Sequence, residues 1–191
     1  MSEDAFLNTY GGPGLIAAAQ DQATPLQVRA PTTLLPWTAA NRKLLARING
    51  KVNHALIERS DAEAHGQQDY WTEVPLKGAV RYADCEDYVL TKRKALVDAG
   101  VPAKTLSIAI VQTTGGSTHA VLVVATDKGD FVLDNLDPFI RPWTDTTYYW
   151  VSRQSADDPF AWYRPAMQPE AARRLATLSA AGRSAAPTVG R

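Results

Sequence analysis

A chain of 191 residues with 45% apolar content and a formal net charge of zero has the length and composition of one soluble globular domain with a sizeable core. Its 20 basic and 20 acidic residues leave no basic surplus for nucleic acid or an anionic membrane surface, and no apolar run approaches the ~20 residues that insertion across a bilayer requires. The single cysteine, Cys85, excludes an intramolecular disulfide framework and argues against a cysteine-based zinc site.

The opening MSEDAFLNTY is acidic where a secretory signal is basic, and no apolar segment follows it. The expectation is a cytoplasmic protein, or one lacking its export signal. Residues 1–37 contain Gly11-Gly12-Pro13-Gly14, Pro25, Pro31 and Pro36 with little periodicity, which predicts an irregular arm partly ordered against the core. From Thr38, a good N-cap, Leu44, Leu45, Ile48, Val52, Ala55 and Leu56 follow helical spacing to about Arg59. A polar loop with Gly66, Asp69, Tyr70 and Trp71 comes next.

The second helix is the best marked. Asp84 caps it, Glu86 and Asp87 place negative charge in the first turn, and Gly100 before Val101-Pro102 stops it. Lys92, Arg93 and Lys94 form the one tight basic run and are expected on a solvated helix face. Then the period shortens. Leu106–Thr113, His119–Thr126, Phe131–Asp134 and Tyr148–Arg153 predict strands, with Asp127-Lys128-Gly129-Asp130 as a hairpin turn. A terminal helix is expected at Glu170–Ala181, with disorder over the last ten residues. Helices first and antiparallel strands afterwards predict an α+β fold. The expected organisation is an arm at 1–37, a folded domain at 38–166 and a tail at 167–191.

Chemistry-bearing residues fall at telling places on these elements. Cys85 is the first helical residue after a cap, where free N–H groups and the helix dipole favour thiolate. Asp84 and Glu86 oppose that, so a histidine partner is needed. His119 opens an apolar strand after the Gly115-Gly116 turn, and Asp134 ends the next strand. A tight hairpin would bring the carboxylate to the imidazole. Each residue alone has a plain alternative: a small buried cysteine, a surface histidine, a turn aspartate. The remaining aromatics, Trp143, Tyr148, Tyr149, Trp150, Trp162 and Tyr163, are expected to pack the sheet, and His54 and His65 to lie on the surface.

From about Leu44 to Tyr163 the sequence resembles the bacterial transglutaminase-like cysteine peptidases, which include the LapG proteases that release biofilm adhesins. The matching pieces are Val52-Asn53, Asp69-Tyr70-Trp71, Asp84-Cys85-Glu86-Asp87-Tyr88, Thr118-His119-Ala120-Val121-Leu122, Gly129 to Leu136 and Tyr149 to Gln154. The resemblance implies a papain-like or transglutaminase-like α+β fold with Cys85 as nucleophile, His119 as general base and Asp134 as the residue that orients it. It implies a periplasmic location, at odds with the opening of the chain. It also implies calcium bound by Asp84 and Glu86, with Asp87 contributing, although cap and dipole complement explain the same carboxylates without metal. The Cys85 N–H is one expected oxyanion donor, and Trp71 and Asn53 are candidates for a second.

Three functions suit these residues. The first is a cysteine peptidase cleaving a protein or peptide substrate through a thioester. A transglutaminase, deamidase or amidase with the same triad is the second. A calcium-dependent binding module with the triad unused is the third.

Overall fold

Thr38 starts the first helix as expected. In the computed structural model, which describes residues 31–59, 71–76 and 81–173, its hydroxyl accepts from the Asn41 N–H at 3.1 Å and helix α1 runs Ala39–Ala55. It ends about a turn earlier than its periodicity predicts. Leu56 turns extended, and Ile57–Glu58 (β1) pairs in parallel with Tyr82–Ala83 (β2), so the ladder takes residues that would have closed the last turn. Helix α2, Cys85–Asp98, follows β2 directly with Asp84 as its cap. The expected loop residues Gly66, Asp69 and Tyr70, with His65, lie outside the described residues. So do most of the N-terminal arm, the expected terminal helix beyond Arg173, and the last ten residues.

Six strands form one antiparallel sheet. They are β3 (Leu106–Gln112), β4 (Thr118–Thr126), β5 (Gly129–Leu133), β6 (Arg141–Pro142), β7 (Tyr149–Gln154) and β8 (Trp162–Tyr163), in the order β6-β5-β4-β3-β7-β8. The β4–β5 turn is tight: Thr126 pairs with Gly129, whose φ of 97° suits a residue without Cβ, and the Thr126 hydroxyl donates to the Gly129 carbonyl.

The near-continuous apolar runs of β3 and β4 reflect burial on both faces. Ile108, Ile110, Ala120, Leu122 and Val124 pack with α1 and α2, while Ala109, Val111, Val121, Val123 and Trp150 form a second cluster on the other side. Leu35 joins the first cluster and hydrogen-bonds to Ala125, and Trp37 stacks on Phe131 with ring centroids 3.7 Å apart. Residues 31–37 are thus sheet-edge structure, so the described end of the arm belongs to the core.

The basic run is not the solvated face that its charge predicts. Lys92 and Arg93 are buried, and only Lys94 reaches solvent, half-buried and bonded to Asp98 at 2.9 Å. The reason is that α2 is flanked by α1 and lies on β4, with Thr72 and Val74 also hydrogen-bonded onto it, so little of its surface is left open. Among the described residues, no helix is long and apolar enough to cross a membrane.

Candidate active site

The hairpin register decides where His119 and Asp134 meet. Leu122 pairs with Leu133, so one further step sets Asp134 opposite Val121, and His119 becomes its diagonal neighbour on the same face. That spacing is within reach of a ring side chain. His119 Nε2 donates to Asp134 Oδ1 at 2.8 Å, and both residues are buried.

Three more groups hold Asp134. The Tyr148 hydroxyl donates to Oδ2 at 2.6 Å, the Leu136 N–H donates to Oδ1 at 3.0 Å, and the Asn53 amide donates to the backbone carbonyl at 2.7 Å. Burial pushes the carboxyl pKa up, but the hydrogen bonds and charge from His119, with Tyr148 and Leu136, outweigh it and hold the group below its ordinary range. Tyr148 also meets the His119 ring edge-on, with centroids 5.8 Å apart. Burial, and then the same aspartate, push the Tyr148 phenol well up, so it stays a donor.

Tyr148 was not legible as a site residue. It precedes β7, which lies beside β3 rather than β5, and only the folded sheet brings it to Asp134. Asn53 is a different case: its amide is engaged by Asp134, which removes it as an oxyanion donor and makes it a support of the aspartate. The other candidate, Trp71, is buried, and its Nε1 has no partner among the described residues.

Cys85 reaches the site from α2. The Ala120 backbone N–H, next in sequence to His119, lies against its sulfur, and this is the one influence lowering the thiol pKa. The thiol itself donates to Glu86 Oε2 at 2.8 Å and is not hydrogen-bonded to His119. Burial first, then the charge and acceptor of Glu86, then Asp84, push its pKa well above the usual value. The thiolate expected at this helix start is therefore outweighed, and the resting sulfur is protonated.

The three carboxylates beside it have separate tasks. Asp84 accepts from the Asp87 N–H as helix cap, Asp87 is fully buried and accepts from the Thr72 N–H at 2.8 Å, and Glu86 takes the thiol. Among the described residues, no group of three or more His, Cys, Asp or Glu side chains is placed to hold a metal ion. Glu86, however, is buried with the thiol as its one hydrogen-bond donor, and no cationic side chain among the described residues pairs with it.

The chain matches the model of the bacterial transglutaminase-like cysteine proteinases, BTLCP, over residues 19–169. Among solved structures it is similar to calcium-bound LapG of Legionella pneumophila, with a TM-score of 0.53 and 19% identity, covering 94% of this chain and 99% of that one. A second structure of Legionella pneumophila LapG gives a TM-score of 0.52 at 18% identity, covering 96% and 97%. At these identities the likeness speaks to the fold, which is transglutaminase-like α+β. No curated protein matches the chain.

Proposed function

The chain belongs to the bacterial transglutaminase-like cysteine proteinases, and from that premise we propose that it cleaves a peptide bond in a protein substrate with Cys85, His119 and Asp134 as its triad. The observation that carries this is the buried His119–Asp134 hydrogen bond, formed one residue from Ala120, whose backbone N–H lowers the Cys85 thiol pKa.

The steps follow from that arrangement. With Nε2 held by Asp134, the His119 Nδ1 is the atom left to take the thiol proton. The sulfur then attacks the scissile carbonyl carbon, and its oxygen becomes an oxyanion at the N-terminus of α2, where the Cys85 N–H is a donor. Trp71 Nε1 is the candidate for the second. Collapse breaks the C–N bond, and the imidazolium returns its proton to the leaving amine. The thioester remaining on Cys85 is cleared by water, activated by the same imidazole.

Alkylation of Cys85 by iodoacetamide, followed by mass spectrometry across pH, tests the triad without a known substrate. His119→Ala should slow labelling at every pH below the ordinary thiol range of about 8.5. An unchanged profile would remove His119 from the site. Glu86→Gln should do the reverse. It deletes the charge that stabilises the protonated thiol and leaves only a neutral carbonyl as acceptor, so the labelling midpoint moves to lower pH. A midpoint that stays put or rises would mean that Glu86 does not govern the thiol.

We extend the proposal to calcium. LapG has been solved calcium-bound, and in this chain Asp84, Glu86 and Asp87 offer hard oxygen donors, of which Glu86 is buried without a cationic partner. As they stand the three side chains do not converge on one point, so an ion would have to draw them together around Glu86; it would supply charge that offsets the carboxylates beside the thiol. EGTA should then lower the melting temperature and calcium restore it, a stabilisation of about 2.7 kcal/mol at a hundredfold excess over Kd. The response should be lost in Glu86→Ala. A melting curve indifferent to both reagents would leave these carboxylates as cap and dipole complement alone.

A further inference from the structure

Asp134 and Tyr148 also line a cavity of about 320 Å³ that the chemistry above does not use. Its size is at the small end for ligand pockets. The β5–β6 connection supplies Asp137 and Phe139 to its wall, β6 supplies Arg141, and the turn after β6 supplies Asp145. His119 is not part of that wall. The cavity therefore lies past the aspartate as seen from the histidine.

Three carboxylates share this cavity with one guanidinium. Asp134 is engaged by His119 and Tyr148. Asp137 holds the Arg141 side chain and accepts from the Phe139 N–H at 2.9 Å. Asp145 accepts from the neighbouring Thr144 hydroxyl at 3.1 Å. Arg141 is near enough to feel its charge, yet no cation among the described residues is bonded to it. The Phe139 ring is 66% exposed, and the Arg141 guanidinium stands 5.7 Å from its centroid. One wall thus already holds a guanidinium with a carboxylate and an aromatic face, the pairing that suits a long cationic side chain. Asp145 offers a second carboxylate for another.

The proposed chemistry says which half of a substrate comes here. Cys85 keeps the acyl half as a thioester, and His119 gives its proton to the leaving amine. The leaving half must therefore run past His119, toward Asp134 and the cavity. We propose that the cavity is a specificity subsite for a lysine or arginine of the protein substrate, within the three residues that follow the scissile bond. The aliphatic stem lies along Phe139 and the cationic head pairs with Asp145. This rests on the triad proposed above and names the substrate class for it.

The test uses the full-length protein and peptides cut from a denatured proteome after glutamate, which keep their lysines and arginines. New termini are read by mass spectrometry, with Cys85→Ala as the blank. Lysine and arginine should be enriched about fivefold at one of the three positions after the cleaved bond, the discrimination that a solvent-exposed ion pair supports at its upper end. Asp145→Lys, a change at an exposed residue, should abolish that enrichment and favour aspartate and glutamate there instead. Cleavage that Cys85→Ala lacks but that shows no basic preference after the bond overturns the subsite and leaves the triad standing. So does a preference that Asp145→Lys leaves unchanged. Should Asp145→Lys not fold, Asp145→Asn is judged on loss of the enrichment alone. A library that the wild-type protein leaves as intact as Cys85→Ala does sinks the peptidase reading, and the subsite with it.

Discussion

Cys85→Ala should abolish peptide-bond hydrolysis, and Cys85→Ser should do so while leaving the fold closest to wild type. Loss of a nucleophile in the best-studied triad enzymes costs about six orders of magnitude in turnover, and this chain has no second thiol to substitute. The two replacements differ in what they do to Glu86. That carboxylate is buried, and its one hydrogen bond comes from the cysteine thiol. A serine hydroxyl keeps a donor beside it; alanine leaves it without one, at a cost of about 1–3 kcal/mol. For a chain of this length that is roughly 2–4 °C in melting temperature per kcal/mol. Any protein substrate identified for the family member serves as the assay, with circular dichroism to follow unfolding. Full turnover in either variant would end the cysteine-peptidase proposal. A Cys85→Ala protein as stable as Cys85→Ser would show that the thiol–Glu86 bond contributes nothing.

Asp134→Asn should lower turnover about a hundredfold, less than the about ten-thousandfold loss in the serine-protease template. In that template the amide stabilises the wrong imidazole tautomer. Here Oδ1 already accepts from His119 and from the Leu136 N–H, so the asparagine carbonyl is held in that place. The amide nitrogen then faces Tyr148, whose hydroxyl can turn from donating to accepting. The tautomer survives, and what is lost is the charge opposite the imidazolium. Tyr148→Phe removes that adaptability, so Asp134→Asn combined with Tyr148→Phe should fall well below the product of the two single effects. Turnover kinetics of the four proteins measure this coupling directly. Wild-type turnover in Asp134→Asn would assign the orienting role elsewhere, and simple multiplication in the double variant would remove Tyr148 from it.

The elements that carry the proposed triad were legible because each has strong local signals. Asp84 and Gly100 punctuate α2 within one residue or two of its observed ends, and the Asp127–Asp130 turn fixes a register that extends to His119 and Asp134. What stayed hidden depends on contacts between distant segments. Nothing local distinguishes Tyr148 from the aromatics around it, because its role comes from the order of strands in the sheet. Asn53 sits on a helix whose rotation selects the Asp134 carbonyl as its target. Lys92 was expected in solvent because a basic run on a helix normally faces water. Enclosure of α2 by α1, β4 and the segment around Thr72 overrode that rule.

The hydrogen bond between the Cys85 thiol and Glu86 also bears on oxidation. Peroxides attack thiolates far faster than thiols, and a sulfenic acid is rescued when a neighbouring thiol condenses with it. With no second cysteine in the chain to resolve it, a sulfenic acid at Cys85 is left to a small-molecule thiol or a backbone nitrogen, or to further oxidation toward the irreversible sulfinic and sulfonic acids. A carboxylate that keeps the sulfur protonated at rest shields a thiol for which the chain holds no resolving partner.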